Sequence, residues 1–278
     1  VKFVASGSAA AALKKSSNES GAGRFTDFNL PPLLFFEYIH LKKYEHLMRQ
    51  SKVEWDGIES DIYSTIDIDK LNSLFLDYIN YGGYPEVAFS SRMQEDPGQF
   101  VRKHKKIGLF LPKLADQEIY PYICAQKIVG IMEYTALLEK QILGRLKIDN
   151  PWWTEGRIPS YYQEMSPRLY LDIFYPLVRD VSIQRALILM GPRRVGKTVM
   201  LYHSIQRLID EGVSPQNIIY VSVETPIYNN ILLEQLFSLA KQILDKEDSQ
   251  EEFYVFFDEI QYLKDWEINL KSLVDTYH

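Results

Sequence analysis

Short apolar runs bounded by small or polar residues alternate with longer stretches of mixed character along this chain. Ala186 to Met190 (ALILM), Ile218 to Val223 (IIYVSV) and Phe253 to Phe257 (FYVFF) are nearly unbroken, the pattern of strands buried on both faces of a parallel sheet. Val1, Phe3 and Val4 start a fourth run, which Ser6-Gly7-Ser8 stops before Ala9 to Leu13 resumes as a helix former. Between the runs the apolar spacing turns helical, over Val199 to Ile209, Ile231 to Leu244 and Trp266 to Tyr277. Ser166-Pro167 offers an N-cap and a first-turn proline to a further helix, Arg168 to Arg179. Strands alternating with helices predict an α/β fold, a parallel sheet flanked by helices.

The remaining pattern predicts a small helical appendage. Leu33 to about Gln50 has helical spacing, and Asp67 to Asn80 repeats it with Leu71, Leu74, Phe75 and Ile79 on one face. Ser51 to Ser60 reads as a polar loop between those helices. The turn Gly82-Gly83-Tyr84-Pro85 breaks the chain, and Pro97 to Lys106 resumes a helix. Residues 107–130 carry no recognisable pattern. Asn150 to Ser160 (NPWWTEGRIPS) is an irregular connection whose two tryptophans either bury apolar surface or present a face to a purine base.

Composition narrows the class. With 46% hydrophobic and 24% charged residues the chain has an ordinary globular profile, long enough for one large or two modest domains. A net charge of -6 supplies no overall basic field for nucleic acid or an acidic membrane, and the densest basic run, Arg102 to Lys106, reads as a solvated helix end. The single Cys124 excludes an internal disulfide and suits a reducing cytoplasm. No stretch approaches the roughly 20 apolar residues of a membrane span. VKFVASGSAAAAL has neither the charged lead-in nor the continuous apolar centre of a signal peptide. The His residues are scattered, without metal-ligand spacing.

The strongest chemistry lies at residues 186–198, ALILMGPRRVGKT. Strand, glycine loop and helix follow one another, the context in which Gly191-x-x-x-x-Gly196-Lys197-Thr198 reads as a phosphate loop. The candidate nucleotide-binding residues are Gly191, Pro192, Arg193, Arg194, Val195, Gly196, Lys197 and Thr198, with Val199 opening the helix. Glycine lets the backbone turn successive N–H groups inward, and the helix N-terminus favours anionic charge. Lys197 is expected to neutralise phosphate oxygens, and Thr198 to place a hydroxyl on Mg²⁺. The run FYVFF ends in Asp258-Glu259, so the sheet brings a carboxylate, Asp258, to the loop as second Mg²⁺ holder. Glu259 is then placed to deprotonate a water, which argues for hydrolysis over a kinase that must exclude water.

These two stretches, GPRRVGKT and FYVFFDEIQYLKDWE, resemble the prokaryotic AAA-type ATPases of the GxRRxGKT … DEIQ group. The resemblance covers about Ser166 to His278 and implies ATP and Mg²⁺ as ligands. In that family the acidic helix is followed by a strand with a small polar turn, a Gly-Arg element and a Pro-Leu-x-x-x-Glu-Tyr segment. Here their counterparts stand at the front: Val1 to Ser8, Gly23-Arg24-Phe25, and Leu30 to Tyr38. Met132 onward resembles a family amino terminus. The order is therefore expected to be circularly permuted, with Val1–Ala5 pairing beside Ala186–Met190 and His278 close to Val1; the alternative is that Val1–Ser6 is an added strand in native order. The implied division is 131–278 and 1–40 for the ATPase core and 41–130 for the helical lid.

By position in the family pattern, Ser6 and Ser8 become sensors of the attacking water. Arg24 becomes a charge for the γ-phosphate, within the chain or across a homo-oligomer, with an ion pair fixing its turn as the alternative. The full-length family adds a domain of nuclease-like fold that this chain is too short to hold. The expected function is hydrolysis of ATP with Mg²⁺ to drive a conformational change on an unidentified macromolecular partner. The alternatives are a nucleotide-gated switch with little turnover and a nucleic-acid motor, which the charge does not indicate.

Overall fold

The computed structural model describes residues 1–8, 23–55, 58–78, 85, 139–228, 231–247 and 249–277. The expected helices at Ala9–Leu13 and Pro97–Lys106, the glycines of the turn before Pro85, Cys124 and residues 107–130 lie outside the described residues. The first part of the chain runs β1 (Lys2–Gly7), β2 (Phe25–Asn29), α1 (Phe35–Leu41), β3 (Met48–Trp55), β4 (Ile58–Thr65) and α2 (Ile68–Asp77). The rest contributes α3 (139–149), α4 (Leu171–Arg179), β5 (Ala186–Met190), α5 (Lys197–Asp210), β6 (Ile218–Ser222), α6 (Leu233–Ile243), β7 (Tyr254–Asp258) and α7 (Trp266–Thr276).

Five strands form one parallel sheet in the order β2-β5-β1-β7-β6. The unbroken apolar runs are explained by burial on both sides. Along β5, Ala186, Ile188 and Met190 face one layer and Leu187 and Leu189 the other. The first layer holds Phe3 and Phe257 against Phe237 of α6 and Leu273 of α7; the second holds Val4 and Phe256 against Phe174 of α4 and Ile205 of α5. β1 is the middle strand, with Val4 opposite Leu187 on one side and Phe256 on the other. Its one charge, Lys2, is buried and donates to the Asp180 carbonyl at 2.7 Å, and burial lowers its pKa. The Phe3 ring lies 6.4 Å from that of Tyr277, so the described ends of the chain are neighbours.

The outer strand β6 presents backbone groups that would otherwise be open to pairing. The side chain of Asn150 bonds both, donating to the Tyr220 carbonyl at 2.8 Å and accepting from its N–H at 2.6 Å. The indoles of Trp152 and Trp153 both donate to the Ile218 carbonyl, at 2.9 and 2.8 Å. The tryptophan pair thus covers a sheet edge.

The appendage corrects the helical expectation. α1 spans only seven residues, and Lys43 follows it in the left-handed region at φ 61°. Residues 48–65, expected as a helix end and a polar loop, form an antiparallel hairpin with Arg49 opposite Ser64. Arg49 to Lys52 are polar and exposed, so this half of the strand carries no apolar alternation in the sequence. Asp67 caps α2 by accepting from the Lys70 N–H at 2.9 Å. Leu33 and Tyr38, expected in the core with residues 1–40, instead pack with Leu41, Leu47 and Leu74 in a small separate cluster, so α1 goes with the appendage.

One buried ion pair ties α1 to the sheet domain. Arg168 and Glu37, 5% and 2% exposed, meet in a two-pronged contact, Nε to Oε1 at 2.9 Å and Nη2 to Oε2 at 2.8 Å. Removing one partner strands the other charge away from water. Glu37→Ala is expected to cost about 3–5 kcal/mol, read as a shift in a denaturant melt; a loss within experimental error would exclude the pair as a structural tie.

A second expectation concerns acid. His203 of α5 places Nε2 2.8 Å from the Tyr162 carbonyl, beside the stacked rings of Tyr162 and Tyr202, 4.0 Å between centroids. A carbonyl only accepts, so this nitrogen carries the proton of a neutral imidazole. Burial pushes the His203 pKa below its usual 6.5. Between the folded and unfolded pKa values the unfolded chain binds the proton and the folded chain refuses it, so stability rises with pH across that window and is lost on acidification. His203→Gln keeps a donor without the titration. The parent is expected to lose more stability than this variant when the pH falls below about 6.5; parallel pH slopes in denaturant melts would refute the assignment.

Candidate functional site

β5 delivers the chain into the loop Gly191 to Gly196, and Lys197 begins α5. Two residues of the loop sit in the left-handed region, Arg194 at φ 68° and Gly196 at φ 92°. Gly191 is needed for closeness: a Cβ there would stand 2.5 Å from the backbone oxygen of Leu30. Pro192 and Arg193 are exposed, Arg194 and Val199 half-buried, and Val195 buried in the second layer. Arg193 reaches the Tyr262 hydroxyl at 3.1 Å.

Lys197 is 4% exposed and curls back over the loop, donating to the carbonyls of Gly191 at 3.1 Å and Pro192 at 2.9 Å. Burial lowers its pKa, and the nearby carboxylates of Glu259 and Asp258 oppose that shift. An ammonium held on two neutral carbonyls beside two carboxylates is a charge that an incoming anion can take over.

Asp258 is the hub. One carboxylate oxygen accepts from the Thr198 hydroxyl at 2.7 Å and from the Tyr220 hydroxyl at 2.8 Å. The other accepts from the Ser6 hydroxyl and from the Glu259 N–H at 3.1 Å. Burial and the Asp258 charge push the Tyr220 phenol well above its ordinary range. The sheet therefore joins Thr198 and Asp258, the two expected Mg²⁺ holders. A hydroxyl and a carboxylate are the oxygen donors a hard divalent cation takes.

Glu259 turns at φ 53° just beyond β7, and its Oε2 accepts from the Ser8 hydroxyl at 3.0 Å and from the Gln261 amide. Gln261 also donates to Ser8 Oγ at 3.0 Å, and its carbonyl accepts from the Ser8 N–H at 3.3 Å. Ser6 and Ser8 thus stand beside the acidic pair, at the end of β1. Glu224, at the exit of β6, joins the same field: burial first, then Glu259 and Asp258, raise its pKa.

Arg24 is not brought to this group. It precedes β2 at the opposite end of the sheet, where its carbonyl accepts from Ala186 N at 2.9 Å and its guanidinium pairs with Asp275 of α7. The alternative anticipated for it, an ion pair fixing the turn, describes that geometry. Sequence reasoning passed over four contributors: Tyr220, Gln261, Glu224 and the Arg168–Glu37 pair. Gln261 stands within DEIQ without an assigned role; Tyr220 comes from 38 positions away from Asp258 and Arg168 from 27 positions away from Val195, and Glu224 likewise carries no local pattern to mark it.

Among the described residues, no helix is long and apolar enough to cross a membrane. Residues 183–278 match the AAA domain family. An uncharacterized protein of Methanocaldococcus jannaschii is 31% identical over 126 residues, 43% of this chain and 26% of its own length. An uncharacterized protein of Haemophilus influenzae is 32% identical over 88 residues, 31% of this chain and 21% of its own length. The chain thus aligns with about a quarter or less of the curated relatives it matches. No solved structure matches it. Together, the AAA match over 183–278 and the five-stranded parallel sheet with flanking helices describe a P-loop NTPase-like core.

Proposed function

We propose that this chain binds ATP with Mg²⁺ at Gly191 to Thr198 and hydrolyses it. The observation that carries this reading is the contact between Thr198, at the mouth of the loop, and Asp258, at the end of β7. Loop N–H groups and Lys197 hold the phosphates, and Thr198 and Asp258 hold Mg²⁺, which neutralises developing charge on the phosphate oxygens when bound. Glu259 accepts the proton of the attacking water. Ser8 and Gln261 orient that carboxylate. Hydrolysis then moves α1 and the 41–130 appendage against a core built of 131–278 and the strands that precede α1.

A second reading has a specific observation behind it. Glu259 already accepts from Ser8 and Gln261, which favours a switch that holds nucleotide with little turnover. Two variants separate the readings. Lys197→Ala is expected to weaken nucleotide binding by about 2–5 kcal/mol, as for removal of one partner of a buried charged contact. Glu259→Gln is expected to bind normally while phosphate release falls about 10²- to 10⁴-fold. Unchanged release in Glu259→Gln would leave the switch. Binding unaltered in Lys197→Ala would remove the nucleotide site altogether. Adding DNA or RNA to the same assay tests the motor alternative, which a net charge of -6 does not support. The single Cys124 fits a cytoplasmic setting.

We also infer that the order of segments is permuted relative to the AAA family. Supporting this, β1 lies between β5 and β7, and Phe3 packs on Tyr277. A chain reordered to run 131–278 and then 1–130 is expected to match the parent's melting temperature and nucleotide affinity, since the same surfaces meet. Failure of that chain to fold would contradict the permutation.

A further inference from the structure

Arg168 lies outside the loop, yet it grips the loop's backbone. Besides its two bonds to Glu37, its Nη1 donates to the Val195 carbonyl at 2.7 Å and its Nη2 to the Pro31 carbonyl at 3.2 Å. The segment it clamps already presses on the other end of the loop. Leu30 N donates to the Met190 carbonyl at 2.7 Å, and the Leu30 carbonyl is what excludes a side chain at Gly191. Glu37 also accepts from the Leu34 N–H at 3.2 Å, so the carboxylate that orients Arg168 is itself held.

We propose that Arg168 is a positioning residue of the phosphate loop, fixing the Val195–Gly196 peptide so that the Gly196 N–H faces the nucleotide. The physical link is the peptide plane. In a planar trans peptide the C=O and the following N–H point in opposite directions. A guanidinium that draws the Val195 oxygen toward the protein interior therefore turns the Gly196 N–H the other way, into the hollow where phosphate oxygens would lie. Gly196, in the left-handed region at φ 92°, permits that orientation but does not impose it. A guanidinium is required because three carbonyl and carboxylate groups must be met at fixed angles by one planar fork; the ammonium of lysine cannot span them together.

This inference rests on the reading of the loop as a nucleotide site, so its test includes a readout without nucleotide. Arg168→Lys keeps a buried positive charge opposite Glu37 but gives up the fork; Glu37→Gln leaves Arg168 able to hold Val195. Hydrogen–deuterium exchange on the free protein over 191–198, with the melting temperature of each variant and the binding of a fluorescent ADP analogue with Mg²⁺, supplies the readouts. Arg168→Lys is expected to speed exchange in the loop and weaken the analogue about tenfold or more, with Glu37→Gln close to the parent in both. Parent-like loop exchange in a folded Arg168→Lys overturns the proposal. So does equal damage from Glu37→Gln at an equally lowered melting temperature, which marks a general structural tie. If Arg168→Lys does not fold, Glu37→Gln decides alone: loop exchange and binding like the parent's despite a lowered melting temperature support the proposal, and losses in proportion to stability overturn it. Loop exchange faster in Arg168→Lys with no analogue bound even by the parent leaves the positioning intact and rejects the nucleotide reading.

Discussion

A single carboxylate holds the site together. Asp258 accepts from Ser6 on β1, Thr198 on α5, Tyr220 on β6 and the adjoining N–H of Glu259. Three of those donors come from separate parts of the chain, and they converge because the strands are parallel and their carboxyl ends share one rim. A buried carboxylate needs such partners, since an unpaired charge away from water is costly. The same need that satisfies Asp258 in the folded protein places the loop hydroxyl beside it.

The middle strand makes this geometry. β1 separates the strand that feeds the loop from the strand that ends in Asp258 and Glu259, so the two motifs face each other across one strand's width. It also brings Ser6 to Asp258 and Ser8 to Glu259, adjacent carboxylates served by alternate residues of one strand end. The outer strand β6 contributes Tyr220 inward and is closed on its far side by Asn150, Trp152 and Trp153. Both indole N–H groups are used at the sheet edge.

The appendage is joined to this rim through charge. Its own core is small, and α1 meets the sheet domain at Glu37, whose partner Arg168 also holds loop and linker carbonyls. A change in the loop backbone at Val195 is therefore felt by the same guanidinium that anchors α1. That shared contact joins the backbone of the loop to the appendage.

What the sequence by itself determined is local. The short apolar runs ALILM, IIYVSV and FYVFF fit strands buried on both faces of a parallel sheet, and Gly191 to Thr198 is legible because loop, lysine and helix start are consecutive residues. Helix starts were less legible: Ser166-Pro167 suggested a cap, yet α4 begins at Leu171 with Tyr170 at its N-cap, while Asp67 caps α2. The hairpin at 48–65 was illegible, since Arg49 to Lys52 is a polar run and its pairing answers to the partner strand. Only the tertiary structure decided that Arg24 turns to Asp275, that the tryptophans close an edge, that Tyr220 reaches Asp258, that Gln261 reaches Glu259, and that Arg168 reaches the Val195 carbonyl. Those choices depend on which surfaces meet when distant segments share one sheet, and burial enforces the pairing of polar groups only after that meeting has occurred.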